Sequence, residues 1–214
     1  MASGRIINPA VPNLPLGTDE YERRYQDQFT NILRLYFNQL RNSLTELLGN
    51  AGGKYLAFPY GAFSDFTSQT TTANTATLMA LSVTDFSNNV SLDTGSKITV
   101  ANGGIYNLQF STQFQNLDNA PQDIFIWLKQ NGVDIPGSTG KVGVPARKSA
   151  GVPYHDIKGW NYFLSMNAND YVQIYWSVSN PAVTIQTYAA SGTPTKPSTA
   201  SVVATLSFVS TLPT

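Results

Sequence analysis

The chain has 214 residues, 42% of them hydrophobic and only 12% charged. Thirteen Lys and Arg balance thirteen Asp and Glu, so no basic excess exists to neutralise phosphates, which argues against nucleic acid as a partner. The absence of cysteine excludes a disulfide scaffold, thiolate metal sites and a cysteine nucleophile.

Residues 1–17, "MASGRIINPAVPNLPLG", are rich in proline and carry no periodic pattern. Pro9, Pro12 and Pro15 favour an extended, semi-rigid arm. No apolar run here is long enough for the central region of a signal peptide. Nowhere does the chain approach the roughly 20 apolar residues that span a bilayer. The expectation is synthesis in the cytoplasm of the producing cell, without membrane insertion.

Residues 18–48 read as one helix. Thr18 is placed to cap it, and Asp19 and Glu20 would sit in the first turn, where the helix dipole favours anions. Tyr21, Tyr25, Phe29, Ile32, Leu33, Tyr36, Phe37, Leu40, Leu44, Leu47 and Leu48 recur mostly at spacings of three and four. Gly49, Gly52 and Gly53 end the pattern, closing a segment over 18–53. The apolar stripe is wider than a two-stranded coiled-coil seam. No second helical pattern follows in the chain, so the stripe is expected to meet copies of itself or a larger assembly.

Residues 54–214 read as all-β. Strand-like runs include "YLAFPYGAFSDFTSQT", "TATLMALSV", "SKITV", "GIYNLQFSTQF", "DIFIWLKQ", "HDIKGWNYFLSM", "DYVQIYWSV", "AVTIQTYA" and "SVVATLSFVSTL". Gly, Asn, Asp and Pro separate them, and "SGTPTKPSTAS" reads as a long polar loop. Many short strands with turn signals between them argue for an antiparallel sandwich or barrel. Asn131-Gly132 is a strong hairpin signal. In "DIFIWLKQ", Ile124, Ile126 and Leu128 alternate with Phe125, Trp127 and Lys129, so both faces are largely apolar. In "DYVQIYWSV", Val172, Ile174, Trp176 and Val178 form one face, and Tyr171 and Tyr175 give the other its rings. A sandwich whose outer face is also apolar is expected to be covered by another subunit, with large rings at the centre of the contact. Phe125, Trp127, Tyr171 and Tyr175 are the expected interface residues.

Motifs for catalysis or metal binding are missing from the sequence. His155 is the single histidine, and Asp156 beside it would point to the opposite strand face. No G-x-S-x-G elbow, calcium loop or H-E-x-x-H zinc helix occurs. "GSTGK" (137–141) lacks the P-loop spacing and reads as a turn. No Glu follows Glu46, which disfavours a glycosidase carboxylate pair in the β region. The expectation is a protein without cofactor, metal or catalytic residue.

Several motifs, in order, resemble a domain widespread in bacteriophage virion and predicted phage proteins. They are Trp127-Leu128-Lys129-Gln130-Asn131-Gly132, Trp160-Asn161-Tyr162, Asn167-Ala168-Asn169-Asp170-Tyr171 and a closing "PSTASVVATLSFV". The resemblance spans roughly residues 59–212. It departs at Asn169, where the family more often has Gly, and at Ala146-Arg147-Lys148. "GGIYNLQFSTQF" is also similar to a strand of the C1q and tumour-necrosis-factor heads.

The resemblance implies a jelly-roll sandwich, a homotrimer and a place in the virion, as a head decoration, head fibre, or tail or neck appendage. On this reading residues 1–48 anchor the head to other virion proteins: capsid, portal, neck or tail. Tyr25, Phe29, Leu33, Tyr36, Phe37, Leu40, Leu44 and Leu47 would form the anchoring face of the helix. Two rival expectations are a carbohydrate-binding module that reads a host surface glycan, and a hydrolase of host polysaccharide.

Overall fold

A computed structural model of the chain describes residues 9–17, 19–48 and 58–212. The chain divides into two compact units, residues 1–57 and 58–214.

Among the described residues of the first unit, 9–17 carry neither helix nor strand, and one helix, α1, spans Arg23–Leu48. It begins five residues later than the pattern suggests. The amide of Gln26 donates to the Glu22 carbonyl at 3.1 Å, so Glu22 stands at the helix start and no acidic residue occupies the first turn. Helix nucleation is costly, and Tyr21, 83% exposed, contributes no packing to hold an earlier turn. The expected cap Thr18 and the stops Gly49, Gly52 and Gly53 lie outside the described residues.

The second unit contains β1 (Tyr60–Asp65), β2 (Thr77–Leu78), β3 (Val83–Asn88), β4 (Val90–Asp93), β5 (Lys97–Val100), β6 (Gly104–Asn116), β7 (Gln122–Gln130) and β8 (Val133–Asp134). It continues with β9 (Gly140–Val144), β10 (Tyr154–Met166), β11 (Tyr171–Val178), β12 (Val183–Ile185), β13 (Ser191–Gly192), β14 (Thr195–Lys196) and β15 (Val202–Ser210). The first sheet runs β10-β6-β15-β1-β3, and the second runs β4-β5-β11-β7-β8, with β9 also on β7. All these strand pairs are antiparallel. Numbered 1 to 8 in chain order, β1, β5, β6, β7, β9, β10, β11 and β15 give 6-3-8-1 in one sheet and 2-7-4-5 in the other, a jelly-roll sandwich. The first sheet pairs the first strand of the unit, β1, with the last, β15.

Alternation decides what lies between the sheets. Tyr106, Leu108 and Phe114 of β6, Ile124, Ile126 and Leu128 of β7, and Ile174 and Trp176 of β11 are each 2% exposed or less. The opposite set, Phe125, Trp127, Tyr171 and Tyr175, points outward. The Asn131-Gly132 turn has φ values of 51° and 82°, the left-handed pair that a type I′ hairpin requires. Asn169, where the resembling family favours Gly, has φ 69°, and Asn is among the residues that best tolerate this region.

Several strands escape the periodicity reading. β3 and β4 form a nearly continuous polar run that pairs first with β1 and then with β5. β9 begins inside the segment read as a turn, at Gly140 and Lys141. The polar loop 191–201 contains the small β13–β14 hairpin, whose pairing rests on two residues from each strand.

Candidate functional site

The sandwich has two outer faces, and their chemistry differs. On the second sheet the outward residues of β5, β11, β7 and β9 include Lys97, Tyr171, Tyr175, Asp123, Phe125, Trp127, Lys129 and Lys141. Trp127 and Tyr175 are cross-strand partners with ring centroids 5.9 Å apart. Lys129 lies 4.7 Å over the Tyr175 ring, Lys97 4.5 Å over Tyr171, and Lys141 5.7 Å from the Phe125 centroid. The Trp127 indole N–H donates to Asp134 at 2.8 Å. Lys129 pairs with Asp134 at 3.3 Å and Lys141 with Asp123 at 2.9 Å. The four rings expected at an interface are therefore brought together on one face, half-buried, and three of them, Phe125, Tyr171 and Tyr175, lie beneath lysine side chains of the same chain. A lysine stem covers apolar surface while its ammonium stays wet and sits over the ring.

On the first sheet, β6 presents Ile105, Asn107, Gln109, Ser111, Gln113 and Gln115 outward, and β10 presents His155, Ile157, Gly159, Asn161, Phe163 and Ser165. Val203, Thr205 and Ser207 continue the face on β15, with Tyr60, Ala62 and Ser64 on β1 and Phe86 on β3. The charged side chain on this face is Asp85, at the β3 edge, which accepts from the Ser64 hydroxyl at 3.0 Å. Large apolar groups stand open at both edges: Phe163 is 58% exposed, Ile157 61% and Phe86 62%. Between them runs a field of amides and hydroxyls, in which Asn107 donates to Asn161 at 2.7 Å. Gly159 leaves a depression of about 480 Å³ there, lined also by Gln109, Ser111, Asn161, Val203 and Thr205.

Sequence reasoning missed this face. Phe86 lies in a polar strand that periodicity does not reveal. Phe163 sits among the equally large Trp160, Tyr162 and Leu164, so "GWNYFLSM" gives no contrast between its two sides.

The anchoring residues expected on α1 do share one side of the helix. Tyr25, Phe29, Leu33, Tyr36, Leu40 and Leu47 are half-buried, whereas Phe37 is 58% and Leu44 47% exposed. None is fully buried. Tyr25 and Phe29 stack with centroids 6.2 Å apart.

His155 is exposed, and its Nδ1 lies 2.8 Å from the Tyr188 hydroxyl. Asp156 turns to the other strand face and pairs with Lys158 at 2.8 Å. Among the described residues, no group of three or more His, Asp or Glu is placed to hold a metal ion. No helix among them is long and apolar enough to cross a membrane.

Two carboxylates are held below the usual range. Burial pushes Asp65 up, but hydrogen bonds from Thr67, Ser82 and Ser201 outweigh it and lower its pKa. Asp170 follows the same logic: burial raises it, and hydrogen bonds from Asn131, Asn167 and Gln130 lower it further. Both fix turns: Asp65 accepts from Thr67 just beyond β1, and Asp170 ties the β10–β11 turn to the β7–β8 hairpin.

No protein-family model matches the chain, and no curated protein matches it.

Proposed function

We propose that the chain is a structural component of a bacteriophage virion. In this reading it is a homotrimer whose sandwich projects from the particle, and residues 1–48 attach it to other virion proteins. The observation that carries the trimer is the outer face of the first sheet, charged only at one edge and apolar at both. Interface centres are depleted in charge and enriched in rings. Asn and Gln donate and accept alike, so a copy of the same face brings partners rather than repulsion. Apolar groups at opposite edges suit a heterologous contact, in which the β10 edge of one subunit meets the β3 edge of the next. Such contacts close into rings. The second-sheet rings already have their lysine cover and serve this role less well. The placement on a phage particle is supported by the ordered motifs from Trp127 to Tyr171.

A second reading has one specific observation in its favour. The depression over Gly159 is neutral, and amide and hydroxyl groups line it beside Val203, Phe110 and Trp160, a mix of hydrogen-bonding and apolar chemistry that fits a sugar. A glycan array with the purified protein tests it.

The main test is light scattering of the full chain at micromolar concentration, together with the protein's position and copy number in purified particles. Three times the chain mass is expected. Deleting residues 1–48 should leave a cooperatively melting sandwich that no longer enters particles. A monomeric full chain, or an unfolded truncation, overturns the reading.

A further inference from the structure

The exposure along α1 repeats with a period of its own. Tyr25, Tyr36 and Leu47 are half-buried and eleven residues apart. Phe29 and Leu40 keep the same interval, as do Ile32 and Ser43. The steps between these positions are four, three and four, then four, three and four again; Leu33, also half-buried, lies beside Ile32 and widens the seam there. Eleven residues in three turns give about 3.67 per turn, slightly more than the 3.6 of a straight helix. A seven-residue repeat drifts the other way and forces a left-handed coil; this one gives a nearly straight seam with a slight right-handed wind.

We propose that α1 packs along this seam against the α1 helices of two further copies of the chain, parallel and in register. The inference rests on the trimer proposed above. Three observations single out the occupant. A seam 23 residues long stays in contact only with a helix of the same period, and every copy of the chain carries one. At about 100° per residue, the apolar side chains from Ile32 round to Leu48 cover an arc of about 160°. That is wider than a two-helix seam and supplies a flank for each of two neighbours. Arg23, Asp27, Arg34 and Arg41 fall outside the arc; Glu22, which falls within it, stands exposed at the helix start, before the first seam residue Tyr25.

Area points the same way. The helix has 26 residues. At 1.5 Å per residue and about 10 Å width, one seam offers on the order of 400 Å² per helix. A single pair then buries about 800 Å² in total, the level of a chance contact, whereas two seams give about 800 Å² per chain, the standard size for a specific interface. Parallel register follows from closure, because heads related by a threefold axis bring their helices to that axis in the same direction.

The chain has no cysteine, so one introduced thiol reports one contact. The test uses two full-length variants, Phe29→Cys on the seam and Asn31→Cys about 200° round the helix, each mildly oxidised. Phe29→Cys is expected to form covalent dimers at least tenfold faster than Asn31→Cys, within a species of trimer mass. A third variant, Ser43→Cys, mixed with Phe29→Cys reports direction: Phe29→Cys linking only to Ser43→Cys shows antiparallel helices and overturns the parallel seam. Trimer mass without the Phe29 link overturns the helical seam and leaves the sandwich trimer standing. Monomer mass overturns both. Equal linking at the two positions shows random collision and also overturns the seam.

Discussion

Gly140 carries the most local steric constraint in the sandwich. A Cβ at this position would lie 1.5 Å from Cζ2 and 1.9 Å from Cη2 of Trp160. The ring is held from its other side, stacked on Phe110 with centroids 6.3 Å apart and planes 5° off parallel. Gly140 is in β9 and Trp160 in β10, so the pair closes one open side between the two sheets. In Gly140→Ala the ring must leave Phe110, or β9 must back away from Ile126, its partner on β7. Overpacking of this kind costs about 1–3 kcal/mol. The loss of unfolded-chain freedom on replacing Gly returns only about 0.4–1 kcal/mol. The difference of the central values, about 1.3 kcal/mol, corresponds to a Tm about 3–5 °C lower for a domain of this size. Gly143→Ala is the control: it lies on the same strand, with nothing within 4 Å of its Cβ. Calorimetry should show it unchanged or slightly raised. Adding Trp160→Leu to Gly140→Ala should cost less than the two single changes summed, because the clash is gone. A Gly140→Ala protein that melts within 2 °C of the parent would refute the reasoning, as would strict additivity in the double variant.

In a chain lacking residues 1–48, so that no helical contact remains, Phe86→Asp combined with Phe163→Asp should turn trimers into monomers that still melt cooperatively, since both rings are more than half exposed in the single chain. Burying each ring in an assembly contributes about 1.5–3 kcal/mol per chain. Phe125→Asp with Tyr175→Asp should leave the trimer mass intact; monomers from that pair would assign the contact to the second sheet. Asp65 and Asp170 have lowered pKa values, so their stabilisation is complete above the unfolded-chain value near 3.9 and is lost as pH falls through the lower folded-state values. Urea midpoints should therefore decline below about pH 4. Asp170→Asn should cost about 1 kcal/mol at pH 7 and show a shallower acid decline; an identical decline in both proteins would remove Asp170 from the account.

The parts of the fold that are legible in the sequence are those where one strand face is apolar enough to be told from the other. β5, β6, β7 and β11 have period-two runs, and their inward apolar residues are buried. β3 fails that test because it is an edge strand in which five of six residues are exposed, so burial imposes no pattern on it. β9 fails for another reason. Two of its five residues are glycines, and Gly140 is there because Trp160 fills the space a side chain would take. A glycine selected by packing reads, in one dimension, like a glycine selected by a turn. The helix start was misplaced because Asp19 and Glu20 satisfy the charge rule for a first turn, while the packing that would hold that turn is not a property of local sequence.

The candidate site shows the same limit more sharply. Alternation correctly divides Ile124 from Phe125 and Ile174 from Tyr175, but it cannot say what covers the outward set. That cover comes from Lys97, Lys129 and Lys141, residues that reach across strands distant in the chain. A lysine counted as a surface charge in the sequence becomes the lid on an aromatic ring in the fold. Conversely, β6 reads as a simple amphipathic strand, its Asn107, Gln109, Ser111 and Gln113 apparently ordinary solvent-facing groups. Only when β10, β15 and β1 are laid beside it does the face emerge as a sheet surface charged only at Asp85, on its far edge. Low charge across five strands is a property of the assembled sheet, and no single strand announces it. For a chain whose polarity comes mainly from Ser, Thr, Asn and Gln, apolar residues therefore mark the interior well. It is the placement of the few charges that distinguishes the two outer faces, one with lysines over its rings and the other charged only at its β3 edge.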